Sequence, residues 1–140
     1  MNKVAIVYWS GTGNTEAMAG AVLEGVQSAG AEGTLYTAVE FDPDTLGGFD
    51  TVAFGCPSMG SEQLEEGEFE PMFSRCESML SGKKIGLFGS YGWGDGEWMR
   101  NWRDQCEKDG AFLACDPVIC NDAPDDAALG ACRDLGAALA

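Results

Sequence analysis

The chain has 140 residues, 45% of them apolar, which suits one domain around one core, and four Trp with seven Phe exclude a disordered chain. Eight Lys and Arg against 23 Asp and Glu give a formal charge of −15, which excludes nucleic acid and anionic membrane surfaces as partners. There is no histidine, so the commonest general acid–base group at neutral pH is missing and every hydrolase reading is weak.

The chain enters a strand at once, leaving no room for a signal peptide, and no apolar run reaches the roughly 18 residues of a membrane span. The expectation is a single domain over residues 1–140, a monomer in the cytoplasm. Six cysteines (Cys56, Cys76, Cys106, Cys115, Cys120, Cys132) form no C-x-x-C pair, and no histidine accompanies them. They read as small apolar residues, reduced in the cytosol, more than as zinc or iron–sulfur ligands.

In chain order, residues 3–9 read as a buried strand. The following stretch, Tyr8-Trp9-Ser10-Gly11-Thr12-Gly13-Asn14-Thr15-Glu16, opens a helix over 14–29 with Met18, Val22, Val26 and Ala29 on one face, ended by Gly30. A short strand is predicted at 32–37, and 40–50 is acidic and turn-rich, with at most one helical turn. Residues 51–56 read as a second buried strand, 57–67 as a loop, and 68–80 as a helix turning Phe69, Met72, Phe73, Cys76 and Leu80 to one side. Pro71 fits only in its first turn. A strand at 84–89, a glycine-rich loop at 90–96 and a helix at 97–109 with Trp98, Trp102 and Cys106 inward follow. Residues 111–115 and 118–120 suggest a last strand interrupted or ended at Pro117, and a helix at 125–139 closes the chain.

Five short apolar strands alternating with helices imply a parallel sheet covered on both faces, a doubly wound three-layer α/β fold. Ligands of such folds sit beyond the carboxyl ends of the strands, where residues 10–15, 57–62 and 90–96 meet. The first loop joins a strand to a helix N-terminus, an arrangement that binds phosphate through unpartnered amides. It carries hydroxyls at Ser10, Thr12 and Thr15, the amide of Asn14 and no cation. A phosphate held there keeps its charge, which suits the anchor of a cofactor more than a substrate to be cleaved. A nucleoside-triphosphatase loop would need Gly-Lys-Ser/Thr, and a dinucleotide fingerprint would need glycine where Glu16 stands. In the third loop, Trp93 on a frame of alternating glycines suggests a platform for a flat ring; an exposed interface aromatic is the alternative. In the second, Met59 can lie against a ring face, Gly60 lets its peptide point either way, and Glu62 can accept from a ring N–H or stay a solvated carboxylate. Ser58 lacks the flanking glycines of a hydrolase elbow.

Together, Tyr-Trp-Ser-Gly-Thr-Gly-Asn-Thr (8–15), Met59-Gly60, Glu-Phe-Glu-Pro (68–71) and Gly-Ser-Tyr-Gly-Trp-Gly-Asp-Gly (89–96) resemble the short-chain flavodoxins of anaerobic bacteria over essentially the whole chain. Flavodoxins are among the instances that illustrate the strand-end rule used above, so that placement is not independent of the resemblance. The resemblance implies a flavodoxin-like fold with a five-stranded parallel sheet in the order 2-1-3-4-5, and non-covalent FMN. It also implies low-potential one-electron transfer between redox enzymes, mainly between semiquinone and hydroquinone, with basic patches of redox proteins (ferredoxin-type donors and acceptors) as partners.

The roles it implies place Ser10, Thr12, Asn14 and Thr15 on the phosphate with the amides of Gly11 and Gly13, and Ser90 near the phosphate or ribityl chain. Trp93 and Met59 would stack on the two faces of the flavin. Amides around Gly92, Gly94 and Asp95 would face its O2/N1 edge, Glu62 its N3–H, and the Gly60 carbonyl its N5–H. Pro57, Ser58 and Tyr91 complete the cofactor set, with Asn121 as a flavin neighbour. Pro57 replaces a common small hydroxyl residue, Ser61 a commoner acidic one, and the segment 120–124 runs one residue longer than the pattern. The competing class is a flavodoxin-like quinone or NAD(P)H reductase. A phosphoacceptor receiver would need acidic residues where Tyr8-Trp9 and Cys56 stand, and a phosphatase Cys-x5-Arg is absent.

Overall fold

A computed structural model describes residues 2–140. The strands are β1 (Lys3–Tyr8), β2 (Glu32–Thr37), β3 (Thr51–Gly55), β4 (Lys84–Tyr91), β5 (Phe112–Leu113) and β6 (Val118–Asn121). The helices are α1 (Asn14–Ser28), α2 (Pro43–Leu46), α3 (Phe69–Cys76), α4 (Glu97–Lys108) and α5 (Asp126–Leu139), with single 3-10 turns at Ala38–Glu40 and Glu77–Met79. The sheet is parallel throughout, in the order β2-β1-β3-β4-β5.

The last position of that sheet is filled twice. β5 pairs with Lys84 and Ile85, and β6 pairs with Phe88–Tyr91 of the same strand. Ala114 N–H still reaches the Ile85 carbonyl at 2.9 Å, and residues 115–117 then leave the ladder, to which Pro117 has no N–H to offer. The expected fifth strand is therefore two pieces. β6 also draws β4 out to Tyr91, two residues past the predicted 84–89, so Ser90 and Tyr91 belong to the sheet and not to the loop. α3 ends at Cys76, before the predicted end at 80, although the 3-10 turn still delivers Leu80 to the core. Ala29, predicted on the inner face of α1, is the exposed C-cap.

Strand alternation divides the core between two layers. Ala5, Val7, Val52, Phe54, Ile85 and Leu87 face α3 and α4, while Val4, Ile6, Ala53 and Phe88 face α1 and α5. α1 and α5 approach closely because Gly25 lies on the Arg133 carbonyl and Gly136 on the Val22 carbonyl; a Cβ at either would overlap backbone.

Helix starts differ in a way that matters for the site. Asp42 and Asp125 cap α2 and α5, accepting from Thr45 N–H at 2.7 Å and Ala128 N–H at 2.8 Å. α1 and α4 start instead at glycines of positive φ, Gly13 at 95° and Gly96 at 94°, with no side-chain cap.

Candidate functional site

The carboxyl ends of β1, β3 and β4 bring the three predicted loops to one edge of the sheet. A cavity of about 230 Å³ lies between them. Gly11, Thr12 and Asn14 line it from the first loop, Pro57, Ser58 and Met59 from the second, and Ser90, Tyr91 and Gly92 from β4 and its continuation. Trp9 and Asp122 also line it, and sequence reasoning assigned neither a role.

The first loop continues the β1 ladder through Trp9 N–H to the Gly55 carbonyl (3.0 Å) and then folds back, with Gly13 N–H donating to Ser10 Oγ at 3.0 Å. The Trp9 ring lies over Gly11, where a Cβ would stand 3.0 Å from it, and its Nε1 donates to Glu68 at 2.9 Å. Beyond that ring, Ser10 and Gly13 line a separate hollow with Tyr8 and Glu16. Tyr8 donates to Glu16 at 3.2 Å, and burial together with that carboxylate raises the phenol's pKa. Thr15 is 1% exposed, and its Oγ1 has no hydrogen-bond partner in the protein. A buried hydroxyl at the first turn of an uncapped helix is the kind of group that a bound anion satisfies.

The second loop is pinned to the sheet by Ser58 N–H donating to the Ser90 carbonyl at 3.0 Å. Met59 and Gln63 then exchange both backbone hydrogen bonds, at 2.8 and 2.9 Å, closing a turn that contains Gly60 (φ 52°) and Glu62 (φ 54°). A non-glycine residue such as Glu62 holds that conformation at a cost of order 1 kcal/mol. Glu65 receives the N–H groups of Gly67, Glu68 and Phe69 at 2.7, 2.7 and 2.8 Å and so caps α3. Burial opposes its ionisation, yet those three amides hold its carboxyl below the ordinary value.

The third loop is tied to the second by a carboxylate. Glu62 Oε1 accepts from Asp95 N–H at 3.2 Å and occupies the space that a Cβ on Gly94 (φ 89°) would need. Arg100 pairs with Asp95 at 3.0 Å. Trp93 is 65% exposed and Met59 36%, both large apolar side chains left in solvent. Ser90 is buried, and Tyr91 lies tilted on Trp98 with centroids 5.5 Å apart. Asn121 lines a different hollow beside α5, whereas Asp122 (φ 57°) reaches the cavity, its N–H donating to the Tyr91 carbonyl at 2.8 Å. The signal for Asp122 was weak: Asn-Asp after a strand predicts a turn but not which of the two side chains faces inward.

Residues 6–136 match the flavodoxin family. The chain belongs to that family. It is 46% identical over 137 residues to the flavodoxin of Megasphaera elsdenii, covering 98% of both chains. To the flavodoxin of Clostridium beijerinckii it is 43% identical over 122 residues, 87% of this chain and 88% of the relative. The solution structure of two-electron reduced Megasphaera elsdenii flavodoxin matches with a TM-score of 0.89 over 97% of each chain. The cofactor of the family, and of this chain, is FMN.

The chain's residues fit that cofactor on chemical grounds. Its phosphate needs donors, and the uncapped α1 start offers amides, hydroxyls and the orphaned Thr15 Oγ1. Its ring is flat, with faces suited to stacking and one polar edge, and Met59 and Trp93 leave large soft surfaces exposed at the same end of the sheet. No Lys or Arg lines the 230 Å³ cavity, so a bound phosphate keeps its charge.

Proposed function

We propose that this electron-transfer protein is a low-potential, single-electron carrier without substrate turnover of its own, working as a monomeric single domain in the cytoplasm. The observation that carries the reading is the cation-free, hydroxyl-lined start of α1 with its buried, unpaired Thr15 Oγ1, facing two glycine-framed loops that leave Met59 and Trp93 exposed. FMN, when bound, supplies the redox chemistry by taking up one or two electrons.

The chain supplies position and field. Ser10, Thr12, Asn14 and Thr15, with the amides of Gly11 and Gly13, would hold the phosphate, while Pro57 and Ser58 would flank it and Ser90 would face the sugar-like chain. Met59 and Trp93, both exposed, would cover the ring faces and exclude water, with Tyr91 beside them. Gly92 and Gly94 would present amides to the ring's polar edge, Glu62 the carboxylate oxygen left free by its bond from Asp95 N–H, and Asp122, which lines the cavity where Asn121 does not, would be the neighbour from the end of β6. Gly60, at φ 52° with only the Gln63 amide nearby, would be free to present its carbonyl to a ring N–H and hold a proton there.

A chain of charge −15, with no Lys or Arg lining the cavity, would oppose further negative charge on the bound group. One charge about 12 Å away at an effective dielectric of about 40 contributes about 0.7 kcal/mol of repulsion. For a one-electron couple that is about 30 mV, so several such charges would lower the bound group's second potential substantially. The same charge steers the protein to basic patches on redox partners.

Stepwise anaerobic reduction followed by absorbance tests this. Two separated one-electron steps are expected, the second well below the first, and a single two-electron step would overturn the reading. Turnover of a quinone with NADPH would move the protein to the reductase class.

A further inference from the structure

Trp9 stands between two hollows. The 230 Å³ cavity and a second hollow of about 520 Å³ are both lined by Trp9, Gly11 and Thr12, so the first loop is the partition between them and Trp9 is its largest side chain. That residue is held at several points. Its backbone N–H donates to the Gly55 carbonyl at 3.0 Å, and Nε1 donates to Glu68 at 2.9 Å at the start of α3. The benzene edge of the indole lies against Gly11, where a Cβ would meet Cη2 at 3.0 Å and Cζ3 at 3.3 Å. The half-buried ring also packs against the core layer under α3 and α4. It is a fixed wall.

The second hollow extends past that wall toward the end of β2. Thr37 and Val39 line it there, Val39 with 68% of its surface exposed, and Tyr8, Glu16 and Glu68 complete its sides. Its volume falls in the range of ordinary small-molecule sites. Of its lining, only the loop itself has a part in holding FMN. FMN ends in a phosphate monoester, whose three free oxygens suit the several donors at the start of α1. In FAD the same phosphate is esterified to a second phosphate that carries adenosine, so one of those oxygens becomes a bridge and a nucleoside follows it. From the loop, the second hollow is the adjoining space large enough for that extension, and the Trp9 ring stands across the way. Glu16 and Glu68, with no Lys or Arg beside them in the hollow, set like charge against the second phosphate.

We propose that Trp9 restricts this site to the flavin mononucleotide. Its ring, seated on Gly11 and tied to Glu68, closes the loop on a terminal phosphate and keeps the nucleoside half of a flavin dinucleotide out of the adjoining hollow. Glu68 positions the ring, and the charge of the hollow is secondary. The inference concerns which flavin the chain retains, so it stands apart from the electron-carrier reading.

The test dialyses FMN-loaded protein to equilibrium against mixtures of FMN and FAD, then releases the retained flavin and identifies it by chromatography. The unsubstituted protein is expected to retain FMN over FAD by more than about tenfold, and Trp9→Ala to narrow that ratio by about tenfold. Glu68→Gln keeps an acceptor for the indole and removes a charge, and is expected to shift the ratio by less than about fivefold. An unsubstituted protein that retains both flavins alike, a ratio unmoved in Trp9→Ala, or a larger shift in Glu68→Gln than in Trp9→Ala would overturn the proposal. Where Trp9→Ala retains neither flavin, Trp9→Leu, which keeps apolar bulk without the reach to Gly11, is held to the same ratio. Loss of both flavins there as well would also overturn it, because Trp9 would then belong to the anchor itself and not to its selectivity.

Discussion

Replacing Thr15 with valine separates what the hydroxyl does with and without the cofactor. The side chain is 1% exposed and its Oγ1 has no partner within the protein, so valine keeps the shape and removes an unpaired polar atom. An unsatisfied buried hydroxyl costs about 1–3 kcal/mol, so Thr15→Val stabilises the cofactor-free protein, by about 1 kcal/mol at the lower end of that range. With FMN bound the sign reverses. A hydrogen bond to a charged phosphate contributes about 1.5–3 kcal/mol, so affinity falls by about 10- to 150-fold. Urea denaturation of the apoprotein measures the first effect, and quenching of flavin fluorescence on titration measures the second. Riboflavin, which has no phosphate, is the control, and its binding is unchanged. A variant whose apoprotein is less stable, or which loses riboflavin and FMN affinity equally, would refute the assignment of Thr15 to the phosphate.

Four further substitutions test separate parts of the molecule. Glu77 holds its proton to about pH 7 in the fold but to only about 4.5 ordinarily, because of burial and the Asp109 carboxyl. Between those values the folded state binds more protons than the unfolded one, so stability falls as pH rises from 4.5 to 7. Glu77→Gln removes that slope and, after solvent screening, stabilises the protein by about 1 kcal/mol above pH 7; a urea series at pH 5 and 8 with unchanged slope would contradict the pairing. In α1, Gly25→Ala places a Cβ on the Arg133 carbonyl and costs about 2 kcal/mol or more, while Gly20→Ala, with nothing within 4 Å, gains about 1 kcal/mol in the same helix. Thermal unfolding of the two variants should move in opposite directions. Gly60→Val meets only the flexible Gln63 side chain, at 3.9 Å, but must hold φ 52°, which costs the apoprotein about 1–2 kcal/mol. Where that cost falls on the half-reduced protein, the first-electron potential drops by up to about 40–90 mV; an unchanged potential would remove the Gly60 carbonyl from the mechanism.

By itself the sequence determined the fold class, because buried strands and helical faces are local periodicities that side chains at 3.6 and 2 residues must obey. It also placed the proposed anchor residues Ser10, Thr12, Asn14 and Thr15 within one short stretch at the start of α1, where chain connectivity alone keeps them near one helix end. What lay beyond it was decided by partners distant in sequence. β4 reaches Tyr91 only because β6 pairs along it, and Trp9 becomes a cavity wall only because Glu68 holds its indole from the start of α3. The latch from Glu62 to Asp95 joins two loops whose local patterns are silent about each other, and it needs a carboxylate in a left-handed turn that no propensity favours.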